Sequence, residues 1–323
     1  MSTTSIESVC VFGSFARMTT DCLSDRDVLV VASERERRDD IVQHWRKRGW
    51  SVAVYSPMRL LKMIESRSLF VQHLRKEGII IEDANGWLSK QIGGAKPKKS
   101  YSIDAQTSVF LALPLERLNG DVLVSDELIA ADLAYVAARN FGVCYLADRD
   151  KLTFDYMEIV ECLARDFNLG VDEVSLLESL RGGKVAYRGN QECSNARGTV
   201  SEVRDLLGKF FVERPLGKVD PNSPIRDLCT GYATLRDFEA WSVPATRRSI
   251  VQIEKLGIHL TPVNRWIRSP RSYSWKIRNI SAKSLERVRL ALECRANIQG
   301  EREHIILKQN LASLGSIFQK ASE

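Results

Sequence analysis

A glycine and a serine, then ten residues, then two aspartates one residue apart: Gly13-Ser14 and Asp25-Arg26-Asp27, in VFGSFARMTTDCLSDRDVLVV, are the residues of this chain best suited to chemistry. Alternate residues of a strand face the same way, so Asp25 and Asp27 are expected to present two carboxylates side by side. Hard anionic oxygens in that arrangement suit Mg²⁺ or Mn²⁺, which is held by one or two carboxylates together with substrate phosphates. Gly13 lets the backbone approach a phosphate closely, and Ser14 is placed to cap the helix expected after it, whose first N–H groups would face the terminal phosphates. Together the two halves describe a nucleoside triphosphate site with a divalent metal, arranged for in-line phosphoryl attack. Arg17, one turn into that helix, is within reach of the same phosphates.

These residues need elements to position them. IESVCVFGS (6–14) reads as a buried strand and RDVLVVAS (26–33) as a second. ERERRDDIVQHWRKRG follows as a surface helix with Ile41, Val42 and Trp45 at helical spacing and Gly49 as its stop. WSVAVYS (50–56) reads as a third strand, Pro57 opens a helix carrying Leu60, Leu61 and Ile64, and GIIIED (78–83) is a fourth strand. Such alternation argues for a small α/β domain over residues 1–92. IGGAKPKKS (92–100) reads as a linker. Beyond it the periodicity turns helical, in DELIAADLAYVAARNFGVCYLA, FDYMEIVECLARDFN and VDEVSLLESLRGGKVAYR, giving a helical domain over 101–212. A break at 213–227, with three of the nine prolines, precedes a basic helical region over 227–323.

GSFAR followed by SDRDVLVV resembles the motif of the nucleotidyltransferases of the DNA polymerase β superfamily, in particular its bacterial branch, and SLFVQHLRKEGIIIED (68–83) is similar to the end of that domain. The resemblance covers roughly residues 6–90. It implies a small mixed-sheet domain followed by a mostly helical region that closes over the substrate. It also implies Asp25 and Asp27 as catalytic metal ligands and Gly13 and Ser14 as phosphate-binding residues. The activity implied is transfer of a nucleoside monophosphate from a triphosphate to a hydroxyl, and some bacterial members serve in phage defence or as toxins. The family pattern also has a third carboxylate on the third strand. Here that strand, Trp50 to Ser56, has no acid, and nothing in the sequence places Glu82, Asp83 or Asp104 in the site. A catalytically degenerate module that senses nucleotide or nucleic acid is therefore the second reading, and transfer to a small molecule of the aminoglycoside kind a third.

Charge bears on the acceptor. Of the 323 residues, those between 241 and 290 include eleven basic and only two acidic, a local charge of +9 in a chain of +6. Within this window Arg265, Trp266, Arg268, Arg271, Tyr273, Trp275 and Lys276 interleave cations with aromatics, the general recipe for a strand of nucleic acid. That favours a polymer, nucleic acid or protein, over a cationic antibiotic. Lys184, Tyr187 and Arg188 follow a Gly-Gly pair expected to break a helix and expose a new helix start, and are second candidates for phosphate contact.

The remaining composition excludes classes. Seven scattered cysteines with no Cys-x-x-Cys pair argue against a disulfide framework or a structural zinc site and fit a reducing cytoplasm. The four histidines show no metal-ligand spacing, and no apolar run approaches the roughly 20 residues of a membrane span. MSTTSIES has neither the basic nor the apolar region of a signal peptide.

Overall fold

The computed structural model describes residues 7–33, 35–105, 108, 124–189 and 196–213, with parts of 254–263 and 283–291. The chain divides into two compact units. The first comprises Met1–Tyr101 and Leu146–Ile159, the second Ser102–Tyr145 and Val160–Glu323.

The first unit is built on a four-stranded mixed sheet of β1 (Glu7–Phe12), β2 (Asp27–Ala32), β3 (Ser51–Tyr55) and β4 (Ile79–Asp83), in the order β3-β2-β1-β4. β1 runs antiparallel to β2 and β4, and β2 parallel to β3. Both faces of the central strands are covered, which is why VCVF and VLVV read as continuous apolar runs. Val9, Val11, Val28, Val30 and Val52 face α2 (Arg35–Lys47) through Val42. Cys10, Phe12, Leu29, Val31 and Ala53 face the opposite way. They pack on α3 (Pro57–Glu65), α4 (Leu69–Glu77) and α5 (Trp87–Gly93), which contribute Leu60, Leu74 and Leu88. Gly49 takes a φ of 79° after α2, the left-handed turn a helix stop requires. Ser56 caps α3 by accepting the Arg59 N–H at 3.3 Å.

Residues 92–100 are not a free linker. Ala95 is buried, and Gln72 Nε2 donates to the Lys96 carbonyl at 3.1 Å. Tyr101, also buried, donates its N–H to Asp148 at 2.5 Å and its hydroxyl to the Arg67 carbonyl at 3.0 Å. These bonds extend the first unit to Tyr101 and draw in a segment, 146–159, that the periodicity had assigned to the helical region.

The described part of the second unit is helical. α6 (Val124–Ala147) is buried on all sides from Leu128 to Val136, as a central helix must be. α7 (Tyr156–Asp166), which spans the division between the units, α8 (Val171–Gly189) and α9 (Ala196–Glu213) follow. The Phe210 ring stacks on Phe141 at 5.4 Å and lies 4.4 Å from Phe167. α8 runs unbroken through Gly182-Gly183, where the sequence led us to expect a break. A Cβ on Gly183 would lie 2.9 Å from that of Ala131, so this glycine serves close helix packing. Among the described residues no helix is long and apolar enough to cross a membrane. The expected region 227–323 lies almost wholly outside the described residues.

Candidate functional site

The site is assembled at one end of the sheet. β1 stops at Phe12, directly opposite Asp27, the first residue of β2. Gly13 then turns the chain with a φ of 77°. A Cβ at this position would lie 3.2 Å from Asp27 Oδ2, so the turn demands glycine twice, for its backbone angle and for the carboxylate beside it. Ser14 Oγ donates to the Asp25 carbonyl at 3.5 Å, a long bond that nonetheless ties the turn to the chain just before β2. Gly13 and Asp27, fourteen positions apart, and Ser14 and Asp25, eleven apart, are thereby brought together.

Two expectations about this turn are corrected. The helix after it, α1 (Ser14–Arg17), is a single turn closed by Met18 at a φ of 61°, so it contributes little macrodipole. Gly13, not Ser14, occupies its capping position, and the Ser14 hydroxyl bonds Asp25 instead of an α1 amide.

Arg17 forms ion pairs within the first unit. Its guanidinium donates to Glu77 at 2.5 Å and to Asp155 at 3.2 Å. Glu77 also contacts His73 Nε2 at 2.8 Å, and the His73 ring stacks on Phe154 at 4.2 Å. Asp155 turns its other oxygen to the N–H groups of Met157 and Glu158, capping α7. Burial alone would push the Glu77 carboxyl up, but the bond from His73 and the charges of His73 and Arg17 hold it below its ordinary value. Arg17 therefore fixes α1 to α4 and to the 146–159 segment.

The strand beside the carboxylates carries no acid on their face. Ser51 pairs with Asp27 and Ala53 with Leu29. Leu29 and Ala53 share one core face, so alternation places Ser51 and Ala53 on the side of Asp27. Glu82 pairs with Val9, near the other end of β1. Asp83 caps α5, accepting from Leu88 N at 2.8 Å and from Ser89 N and Oγ at 2.9 and 2.6 Å. Asp104 belongs to the second unit. Among the described residues no group of three or more His, Cys, Asp and Glu side chains gathers for a metal. The Asp27 carboxylate beside the Gly13 turn, with Asp25 two residues before it, is a donor type that fits a hard cation completing its shell with water and phosphate oxygens.

Lys184 lies in α8 with its ammonium 5.5 Å from the Tyr135 ring, and neighbouring Tyr187 is buried. Arg188 is in the same helix. Both belong to the second unit. Arg265, Trp266, Arg268, Arg271, Tyr273, Trp275 and Lys276 fall outside the described residues.

Sequence reasoning missed the Glu77 network. His73 and Glu77 are four apart on α4, a spacing that marks a helix-surface pair. Their partners Arg17 and Asp155 are too distant in sequence to leave any local signal. The chain matches no family model, and neither the curated proteins nor the solved structures yielded a match.

Proposed function

We propose that the chain is a metal-dependent nucleotidyltransferase whose first unit is a nucleotidyltransferase domain of the polymerase β kind. The observation that carries this reading is the 3.2 Å between Asp27 Oδ2 and the vacant Cβ position of Gly13. It sets a carboxylate close against a backbone turn that carries no side chain of its own. In this reading Asp25 and Asp27 hold Mg²⁺ or Mn²⁺, and Gly13 and Ser14 orient the β- and γ-phosphates of ATP or another nucleoside triphosphate. The metal, when bound, neutralises charge on the phosphates and on the leaving pyrophosphate. Through the cation they would hold, the carboxylates would position the α-phosphate for an incoming hydroxyl oxygen; the new P–O bond forms as the bond to pyrophosphate breaks, and the hydroxyl proton passes to solvent. The basic aromatic segment around Arg268 favours a nucleic-acid or protein acceptor. A role in antiviral defence or as a toxin accords with the resemblance of the motif.

A second reading has its own observation. Ser51 and Ala53 stand on the face of Asp27 where a third carboxylate would complete a two-metal site. A module with that substitution binds triphosphate and metal without turnover, as a sensor. One experiment separates the two readings. Purified protein is incubated with Mg²⁺ or Mn²⁺ and each labelled NTP and dNTP, and products are resolved on a denaturing gel with and without protease. Labelled polymer or labelled protein supports the transferase. A Tm raised by triphosphate with no product supports the sensor, and neither shift nor product would sink both.

A further inference from the structure

Next to the carboxylates, at the same end of the sheet, is an aromatic shelf that the mechanism above does not use. Phe15 directly follows Ser14, yet 41% of this large apolar residue is exposed. Its ring is not loose. It meets the Trp50 ring at 4.9 Å and 70°, and Trp50 in turn meets Trp45 at 5.2 Å and 83°. Trp50 immediately precedes Ser51, the register partner of Asp27. Arg26, the exposed residue between the two aspartates, sets its guanidinium carbon 5.8 Å from the centre of the Phe15 ring. The Arg26 carbonyl accepts the Ser51 N–H at 2.7 Å, which fixes the backbone that carries this cation.

We infer that Phe15, braced by Trp50 and flanked by Arg26, is the stacking platform for the nucleobase of a bound nucleoside triphosphate. The inference rests on the nucleotide-site reading above and adds to it where the base goes. A partly exposed ring braced by a second aromatic offers a preorganised π-face, and the guanidinium over it adds attraction for a π-system. Phe15 has no hydrogen-bonding group, so the stacking contact itself does not discriminate one base edge from another. Stacking of this kind tolerates any base, since every base has a π-face. The platform therefore accepts purine and pyrimidine triphosphates alike.

The test compares ATP and CTP with inorganic tripolyphosphate, each with Mg²⁺, by calorimetry on the full chain. Tripolyphosphate keeps the phosphates and lacks the base. Phe15→Leu retains an apolar side chain against Trp50 and removes the π-face; Phe15→Trp retains both. Wild type should bind both nucleotides more tightly than tripolyphosphate. Phe15→Leu should weaken them by roughly tenfold to a hundredfold, leave tripolyphosphate unchanged, and be rescued by Phe15→Trp. Equal affinity of wild type for nucleotides and tripolyphosphate would overturn the platform, as would Phe15→Leu binding ATP like wild type. A parallel loss of both ligand classes in Phe15→Leu would also overturn it, showing that Phe15 only shapes the turn. Wild type that binds none of the three ligands removes the nucleotide site itself, a failure distinct from that of the platform.

Discussion

Arg17 and Glu77, sixty positions apart, form an ion pair at 2.5 Å in which the glutamate side chain is 5% exposed. Glu77→Ala leaves the mostly buried guanidinium short of one acceptor and strips His73 of its partner. Removing one member of a buried pair costs about 3–5 kcal/mol. The partial exposure of Arg17 and its second bond to Asp155 place the expected loss near the lower figure, about 3 kcal/mol, read by urea unfolding. Unchanged stability would show the pair to be incidental.

The same carboxyl gives a pH dependence. Its pKa in the folded chain is below the ordinary 4.5, so folding favours its ionised form. The stability it contributes is fully present above pH 4.5 and is lost as pH falls through the lower folded value. Asp83 acts in the same direction: the bonds from Ser89 and Leu88 outweigh its burial and hold its pKa below 3.8. Unfolding free energy should therefore drop with acid below about pH 4.5. Glu77→Gln should make that acid limb shallower; an identical limb would remove Glu77 as a source.

Gly13→Ala should damage fold and site together. At φ 77° and ψ −155° Gly13 occupies a region essentially reserved for glycine, which costs another residue on the order of 1–3 kcal/mol, and the new methyl group would press on Asp27. A lower Tm accompanied by weaker triphosphate binding is the expected result. Asp25→Asn and Asp27→Asn should instead abolish nucleotide transfer with the Tm nearly intact, because each removes a metal-binding charge without adding bulk. Full turnover in either variant would remove the metal assignment.

Adjacent glycines of α8 should respond with opposite sign. Gly182 has open space where a Cβ would go, and Gly183 meets Ala131 at 2.9 Å. Gly182→Ala is expected to stabilise by about 0.5–1 kcal/mol through helix propensity. Gly183→Ala is expected to destabilise by about 1–3 kcal/mol through overpacking. Thermal unfolding of the two variants side by side decides it, and shifts of the same sign would contradict the packing described.

Thiol chemistry offers a check on the core of the sheet. Burial, reinforced by the charge of Asp83, pushes the Cys10 thiol up to about 12, whereas Cys22 is exposed. Iodoacetamide at neutral pH should alkylate Cys22 in the native protein and reach Cys10 only after unfolding. Peptide mapping by mass spectrometry reads both sites.

The strands of the first unit were legible because their apolar runs are bounded by strong punctuation, Gly13 after β1, Gly49 before β3 and Ser56-Pro57 after it. The juxtaposition of Gly13 with Asp27 was legible too, since two short strands joined by a loop leave few ways to pair. What composition could not disclose was tertiary override. Gly93, Gly94 and Pro97 read as a linker, yet Tyr101 and Gln72 hold that stretch against the first unit. Gly182-Gly183 carries a helix-propensity penalty that the close approach of Ala131 outweighs. The ion pairs of Arg17 left no local signal because its partners, Glu77 and Asp155, are far away in sequence.

Asp148 and Asp155 have a consequence for how the protein is made. The sheet is complete in sequence by Asp83, yet Tyr101 bonds Asp148 and Arg17 bonds Asp155, 138 positions after it. During synthesis the four strands emerge well before the stretch that finishes their surroundings, and at about 5–20 residues per second that interval lasts several seconds. Over that time Arg17 must wait with one acceptor missing, and α6 must be translated before the first unit can close. A nascent chain halted at Tyr101 would thus be an unfinished body rather than a separable domain, open to protease at the faces that 146–159 later covers.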